Sequence, residues 1–276
     1  MGAVPFPPIV YTCANRGGNV FYQSRHCKYP IPSGTGVKNL IVLKMGSCYP
    51  SIIEKYGDFD EMILRTMELT TKDALIIDVP RNGVFPHEDT VGGVIITGSH
   101  SFITDNEPWI EQTELWIRKL VRGESPPMLG ICFGHHLLAQ AFGGVIGFNP
   151  DGPEFGHTII NLHEAAHADR LFTGLPESFQ GLQSHSQSVI TLPAGAHLLA
   201  SNDHDRHQAF RLGETTWGIQ FHPEFDEEIA IEYIKNYSSE LKNAGLDPEE
   251  LIAACTNTPV STGLLKHFRL ILEQWQ

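Results

Sequence analysis

From Lys38 onward the apolar and polar positions sort into two kinds of segment. Asn39–Lys44, Ala74–Val79, Gly93–Thr97 and Pro127–Ile131 are short apolar runs rich in aliphatic side chains, the pattern of strands buried on both faces. The stretches between them have a helical period. Asp58 is placed to cap a helix with Glu61 at its capping-box position and Met62, Ile63 and Met67 on one side. Pro108 opens another, a position where its missing N–H costs nothing, and Trp109, Thr113, Trp116, Ile117 and Leu120 line one side of it as core residues. Phe133–Phe142 forms a third, ended by Gly143-Gly144. Strands alternating with helices predict an α/β fold: doubly wound, with a mostly parallel central sheet and helices on both faces.

From His157 to Trp217 the chain becomes strand-rich and turn-rich. It closes with three helical stretches, near Glu227–Leu241, Pro248–Cys255 and Thr262–Glu273. The last sets Leu264, Leu265, Phe268, Ile271 and Leu272 on one face. No internal repeat or low-complexity tract interrupts this pattern. Residues 1–36 differ, with five Pro, five Gly and no apolar period. They read as an extended leader over 1–37, in preference to a targeting segment, because they carry neither a basic amphipathic helix nor an apolar signal core. The domain is expected over 38–276.

Charge narrows the function classes. The net charge of −13 opposes a nucleic-acid or anionic-membrane surface, and no apolar run approaches the roughly 18 residues of a membrane span. A soluble globular protein is expected. The five cysteines are scattered without a C-x-x-C pair, which suits a reducing, cytoplasmic compartment better than a disulfide framework or structural zinc. The fourteen histidines include no H-E-x-x-H or similar ligand spacing, so no metal or cofactor is expected. His204 and His207, beside Asp203 and Asp205, read as a solvated turn.

Gly130-Ile131-Cys132-Phe133-Gly134 is the cysteine form of the nucleophile elbow. A strand must turn sharply into a helix with the nucleophile at its tip, so the residues two away on either side must be nearly bare. The helix N-terminus then favours a thiolate, and the Phe133 N–H is aimed at an oxyanion formed on attack. A buried structural cysteine between incidental glycines is the alternative. Gly218–Glu224 places His222 and Glu224 two apart at a strand end, where period-two geometry would set both on one face. Glu224 could then orient His222 toward a nucleophile. Alone, His222 could equally be a satisfied core histidine.

Together with Ile95–His100 and Gln183–Ser188, these motifs make the chain from about Lys38 onward resemble a class I glutamine amidotransferase. More narrowly, it resembles the free-standing proteins similar to the amidotransferase half of GMP synthase. The resemblance implies a flavodoxin-like fold and a Cys132-His222-Glu224 triad that hydrolyses glutamine to glutamate and ammonia through a glutamyl thioester. It also implies that Ser99, in the loop with Gly98, completes an oxyanion hole with Phe133. Ser184, His185 and Ser186 would hold the α-amino and α-carboxylate groups of the substrate. One position departs from the family: His136 stands where glutamine usually helps fix the substrate, and imidazole is shorter and titrates near neutrality.

No G-x-x-x-x-G-K-[ST] phosphate loop occurs in the chain, so the ammonia acceptor would be a separate synthetase. Two other readings stand beside that one. One is a stand-alone hydrolase of γ-glutamyl amides or peptides. The other is a catalytically silent binding module, which would predict a broken triad.

Overall fold

The computed structural model describes residues 39–81, 83–121 and 125–275, and before them a short antiparallel pairing of β1 (Cys13–Ala14) with β2 (Val20–Phe21). The chain divides into Met1–Thr35 and Gly36–Gln276. Most of the expected leader lies outside the described residues.

The apolar runs are strands. β3 (Asn39–Lys44), β4 (Leu75–Asp78), β5 (Val91–Ile96) and β6 (Met128–Ile131) pair in parallel. The sequence between Val145 and Ile219 adds β7 (Val145–Phe148), β8 (Glu154–Leu162), β9 (Ser178–His185), β10 (Gln187–Thr191), β11 (His197–Ser201), β12 (Ala209–Leu212) and β13 (Thr216–Ile219). Nine strands form the main sheet in the order β4-β3-β5-β6-β13-β12-β11-β8-β9, and β7 pairs separately with β10. β13 joins β6 in parallel, and from β12 outward every pairing is antiparallel.

The helices are α1 (Pro50–Tyr56), α2 (Phe59–Thr66), α3 (Pro108–Leu120), α4 (Phe133–Ala141), α5 (Glu227–Asn236), α6 (Ser238–Asn243), α7 (Pro248–Ala254) and α8 (Pro259–Trp275). Alternate strand residues feed opposite faces of the sheet. Val42, Ile95, Leu129 and Ile131 face α2 and α8, whereas Ile41, Leu43, Val94 and Ile96 face α3 and α4. Burial on both faces is what the continuous aliphatic runs require. α8 thus covers a sheet face through Leu264, Leu265, Phe268, Ile271 and Leu272, each worth roughly 1.5–3 kcal/mol against exposure. None of the helices is long and apolar enough to cross a membrane, among the described residues.

Two details differ from the sequence reading. The stretch 227–241 breaks at Tyr237, whose φ of −96° and ψ of 7° leave the helix. The break lets its ring pack 5.0 Å from Phe155 and 6.1 Å from Tyr49. α1 was not expected, although Pro50 at its start and Gly57 just past its end are the usual signals.

Candidate active site

β6 delivers Cys132 to the start of α4 with φ 51° and ψ −102°, a backbone conformation that non-glycine residues rarely adopt. The flanking glycines make this turn possible. A Cβ on Gly130 would lie 2.3 Å from the Gly134 carbonyl oxygen, and one on Gly134 would lie 2.4 Å from that of Ile96. The Cys132 N–H donates to Ile219 O at 2.9 Å, tying the elbow to β13. Its thiol points toward the Ser184 carbonyl, with sulfur and oxygen 3.8 Å apart. Phe133 is the first residue of α4, so its N–H has no partner within the helix.

β13 ends at Ile219, and His222 and Glu224 follow in a turn. Strand alternation therefore does not bring them together, contrary to the sequence reading. The turn does, with the Phe225 N–H donating to His222 O at 3.3 Å. His222 Nδ1 lies 2.8 Å from Glu224 Oε1 and both side chains are buried. Nε2 of His222 is buried without a hydrogen bond and is free to serve a nucleophile. Burial opposes the imidazolium, but Glu224 and the Cys132 sulfur outweigh it and raise the His222 pKa to about 10. Phe225 stacks on the imidazole, and Phe59, held at the start of α2, lies parallel to both.

The loop after β5 reaches the same place. Thr97 fixes it by accepting from the Met45 N–H and donating to Gly98 O. A Cβ on Gly98 would lie 3.3 Å from His222 Cε1, so the loop runs against the imidazole. Ser99 lines a cleft enclosing about 430 Å³, part of it open to solvent, together with Cys132, Phe133, His136, Ser184, His185 and Ser186. His222, Glu224 and Gly98 stand behind that lining.

Two expectations are corrected here. His136 does not titrate near neutrality. Burial, reinforced by the neighbouring His185, lowers its pKa to about 4, and its Nε2 sits 2.6 Å from Gln220 Oε1. The turn at Asp203–His207 is solvated only in part: Asp203 is exposed, but His204, His207 and Asp205 are turned inward. Asp205 is buried, His204 Nε2 lies 3.0 Å from Gly152 O, and His207 Nδ1 meets Val189 O. The two imidazoles thus meet a loop and a strand carbonyl, while Asp205 Oδ1 accepts from the His207 N–H.

Sequence reasoning did not single out Glu154, Gln187, Gln220, Phe59 or Phe225 as site residues. Gln220 and Phe225 adjoin the His222 motif and could have been found from it. Glu154, at the start of β8, carries no local signal.

An α/β sheet that presents a cysteine on a nucleophile elbow defines the class to which this molecule belongs. The model of the class-I glutamine amidotransferase family matches residues 51–237, more than half of the sequence, and the chain belongs to that family. It is 30% identical over 183 residues to one subunit of the glutamine-hydrolysing GMP synthase of Saccharolobus solfataricus, covering 66% of this chain and 92% of that protein. It is 33% identical over 205 residues to the glutamine-hydrolysing GMP synthase of Porphyromonas gingivalis, covering 73% of this chain and 36% of that longer protein. A glutamine amidotransferase from Thermotoga maritima shares the fold, with a TM-score of 0.66 at 22% identity over 85% of this chain and 99% of that one.

Proposed function

We propose that this chain hydrolyses the side-chain amide of glutamine and passes the ammonia to a separate synthetase. The observation that carries this reading is the buried His222, held by Glu224 on Nδ1 and unpartnered on Nε2, beside a cysteine on a strained elbow. The Cys132 thiolate attacks the carboxamide carbon, and the N–H groups of Phe133 and Ser99 receive the oxyanion. His222, charged at neutral pH, gives its Nε2 proton to the departing ammonia as the C–N bond breaks. A glutamyl thioester remains. His222 then takes a proton from water, the resulting hydroxide displaces the sulfur, and glutamate leaves. The separate acceptor is supported by the Saccharolobus relative, itself one subunit of a GMP synthase.

A second reading is hydrolysis of γ-glutamyl amides with larger leaving groups. It is favoured by the aromatic rim of the cleft, where Phe102 meets the exposed Phe148 at 5.1 Å. Ammonia and glutamate release would be followed with free glutamine and with a γ-glutamyl dipeptide, using Cys132→Ala as the blank. Cys132-dependent release from glutamine supports the first reading, and faster cleavage of the dipeptide supports the second. Release that persists in Cys132→Ala would sink both.

A further inference from the structure

A second histidine–glutamate pair lies at the wall of the same cleft, which His185 lines, and the hydrolytic steps make no use of it. Glu154 opens β8 and stands opposite His185, the last residue of β9. His185 Nε2 is 2.9 Å from Glu154 Oε2, and its Nδ1 is 2.9 Å from the carbonyl oxygen of Gln187. A carboxylate and a carbonyl only accept, so both ring nitrogens carry hydrogen and His185 is an imidazolium. The side-chain amides of Asn202 and Gln208 donate to the remaining lone pairs of Glu154. Burial opposes both charges, yet the pairing holds Glu154 below and His185 above their ordinary pKa values.

This cation sits inside the strap that forms one wall of the cleft. Ser184 and Ser186 flank it, and Ser184 O receives the Cys132 thiol. The strap continues to Gln187, whose side chain accepts from the Ile103 N–H at 3.2 Å and donates to Thr104 Oγ1 at 2.8 Å. A continuous hydrogen-bonded path therefore runs from Asn202 and Gln208 through Glu154, His185 and Gln187 to the loop that carries Phe102.

We propose that Glu154 is a positioning residue: by fixing His185 as a buried cation it holds the Ser184–Gln187 strap in the shape that receives the α-amino acid end of the substrate. The inference rests on the proposed reading of a glutamine or γ-glutamyl substrate. The charged and titratable groups that face the pair are Asp205, His135, His136, His204 and the Cys132 sulfur.

The test uses the full chain with Glu154→Gln, which keeps the shape and removes the charge. Cys132 would be labelled with iodoacetamide, which has no amino acid end, and with the diazoketone analogue of glutamine, which has one. Expected are a KM for glutamine raised about tenfold or more with kcat within about threefold, the signature of lost ground-state binding. Labelling by the diazoketone should slow about tenfold while iodoacetamide labelling stays within about twofold, because only the first reagent needs the strap. Should Glu154→Gln not fold, Glu154→Asp keeps the charge but withdraws it, and smaller losses in the same two quantities are expected. The proposal is overturned if a folded variant retains the wild-type KM and diazoketone rate, or loses iodoacetamide reactivity equally. A wild-type chain that takes the diazoketone faster than iodoacetamide but releases no ammonia would overturn the hydrolytic reading, while the labelling ratio would still decide the role of Glu154.

Discussion

The ring of Phe225 lies flat on the imidazole of His222, with centroids 4.1 Å apart and planes within 7°. The π face of a phenyl ring attracts a cation by about 0.5–2 kcal/mol, so Phe225 favours the charged form of His222 as well as fixing its plane. Phe225→Leu should lower kcat roughly 2- to 30-fold and move the alkaline limb of the pH–rate profile to lower pH. Phe225→Tyr should restore both. A Phe225→Leu enzyme with reduced kcat but an unmoved pH profile would reduce the contact to packing.

The elbow stores strain. With φ at 51°, Cys132 occupies a region that costs a side-chain-bearing residue about 1–3 kcal/mol. Cys132→Ala and Cys132→Gly should both abolish turnover, but Cys132→Gly should be more stable than Cys132→Ala by about 1 kcal/mol after the greater unfolded-state freedom of glycine is counted. Thermal denaturation checks this as a melting temperature about 2–4 °C higher for the glycine variant.

Asp58 links helix capping to the site. It accepts from the Cys48 and Phe59 N–H groups and pairs with Lys44 at 2.6 Å. Burial raises its pKa, but Lys44 and the two N–H groups outweigh burial and hold it below the ordinary value. A depressed folded pKa contributes stability that is present above the unfolded value, near ~3.9, and lost as pH falls through the folded one. Asparagine caps as well as aspartate, so Asp58→Asn isolates the charge. The variant should be about 2 kcal/mol less stable at neutral pH, with the gap closing in acid. Urea unfolding across pH measures it, and a gap that is constant with pH would refute the assignment.

His136 is neutral and pinned to Gln220, at the position where the sequence resemblance implies a glutamine. A longer amide there should regain roughly one substrate hydrogen bond, about 1 kcal/mol or fivefold or more in kcat/KM for glutamine. His136→Gln is therefore expected to be the faster glutaminase. A lower or unchanged value in steady-state kinetics would mean that the wild-type site is shaped for a different γ-glutamyl compound.

The parts of this site that were legible in the sequence are those whose geometry is set by covalent spacing. Gly130 and Gly134 flank Cys132 at fixed distances, and their mutual approach is a property of any strand-to-helix turn that tight. Glu224 is close enough to His222 in the chain to meet it, although the turn after β13 differs from the strand that period-two reasoning supposed. Longer-range relations were hidden. Glu154 meets His185 only because β8 and β9 align in one register, and no local pattern reports that. The state of His136 depends on burial by several elements at once. The segment around His204–His207 misled in part because polar residues between apolar runs usually face water, whereas here both imidazoles turn in to carbonyls and Asp205 is buried. In the fold, aliphatic runs and caps located β3 to β6 and α2 to α4, while the short α1 lacked the length for its period to stand out.

The Glu154–His185 pairing has a consequence for assembly of the sheet. These residues are direct cross-strand neighbours, with Phe155 opposite Ser184 beside them. Sliding β8 by one residue would turn Glu154 to the other face and leave His185 facing Phe155 or Pro153, where burial without a counter-charge would strip its proton. The slip would forfeit the ion pair and the amide hydrogen bonds to Glu154, each about 1 kcal/mol or more against a folding margin of only about 5–15 kcal/mol. The pair thus favours the one alignment of β8 and β9 that also sets the wall of the cleft.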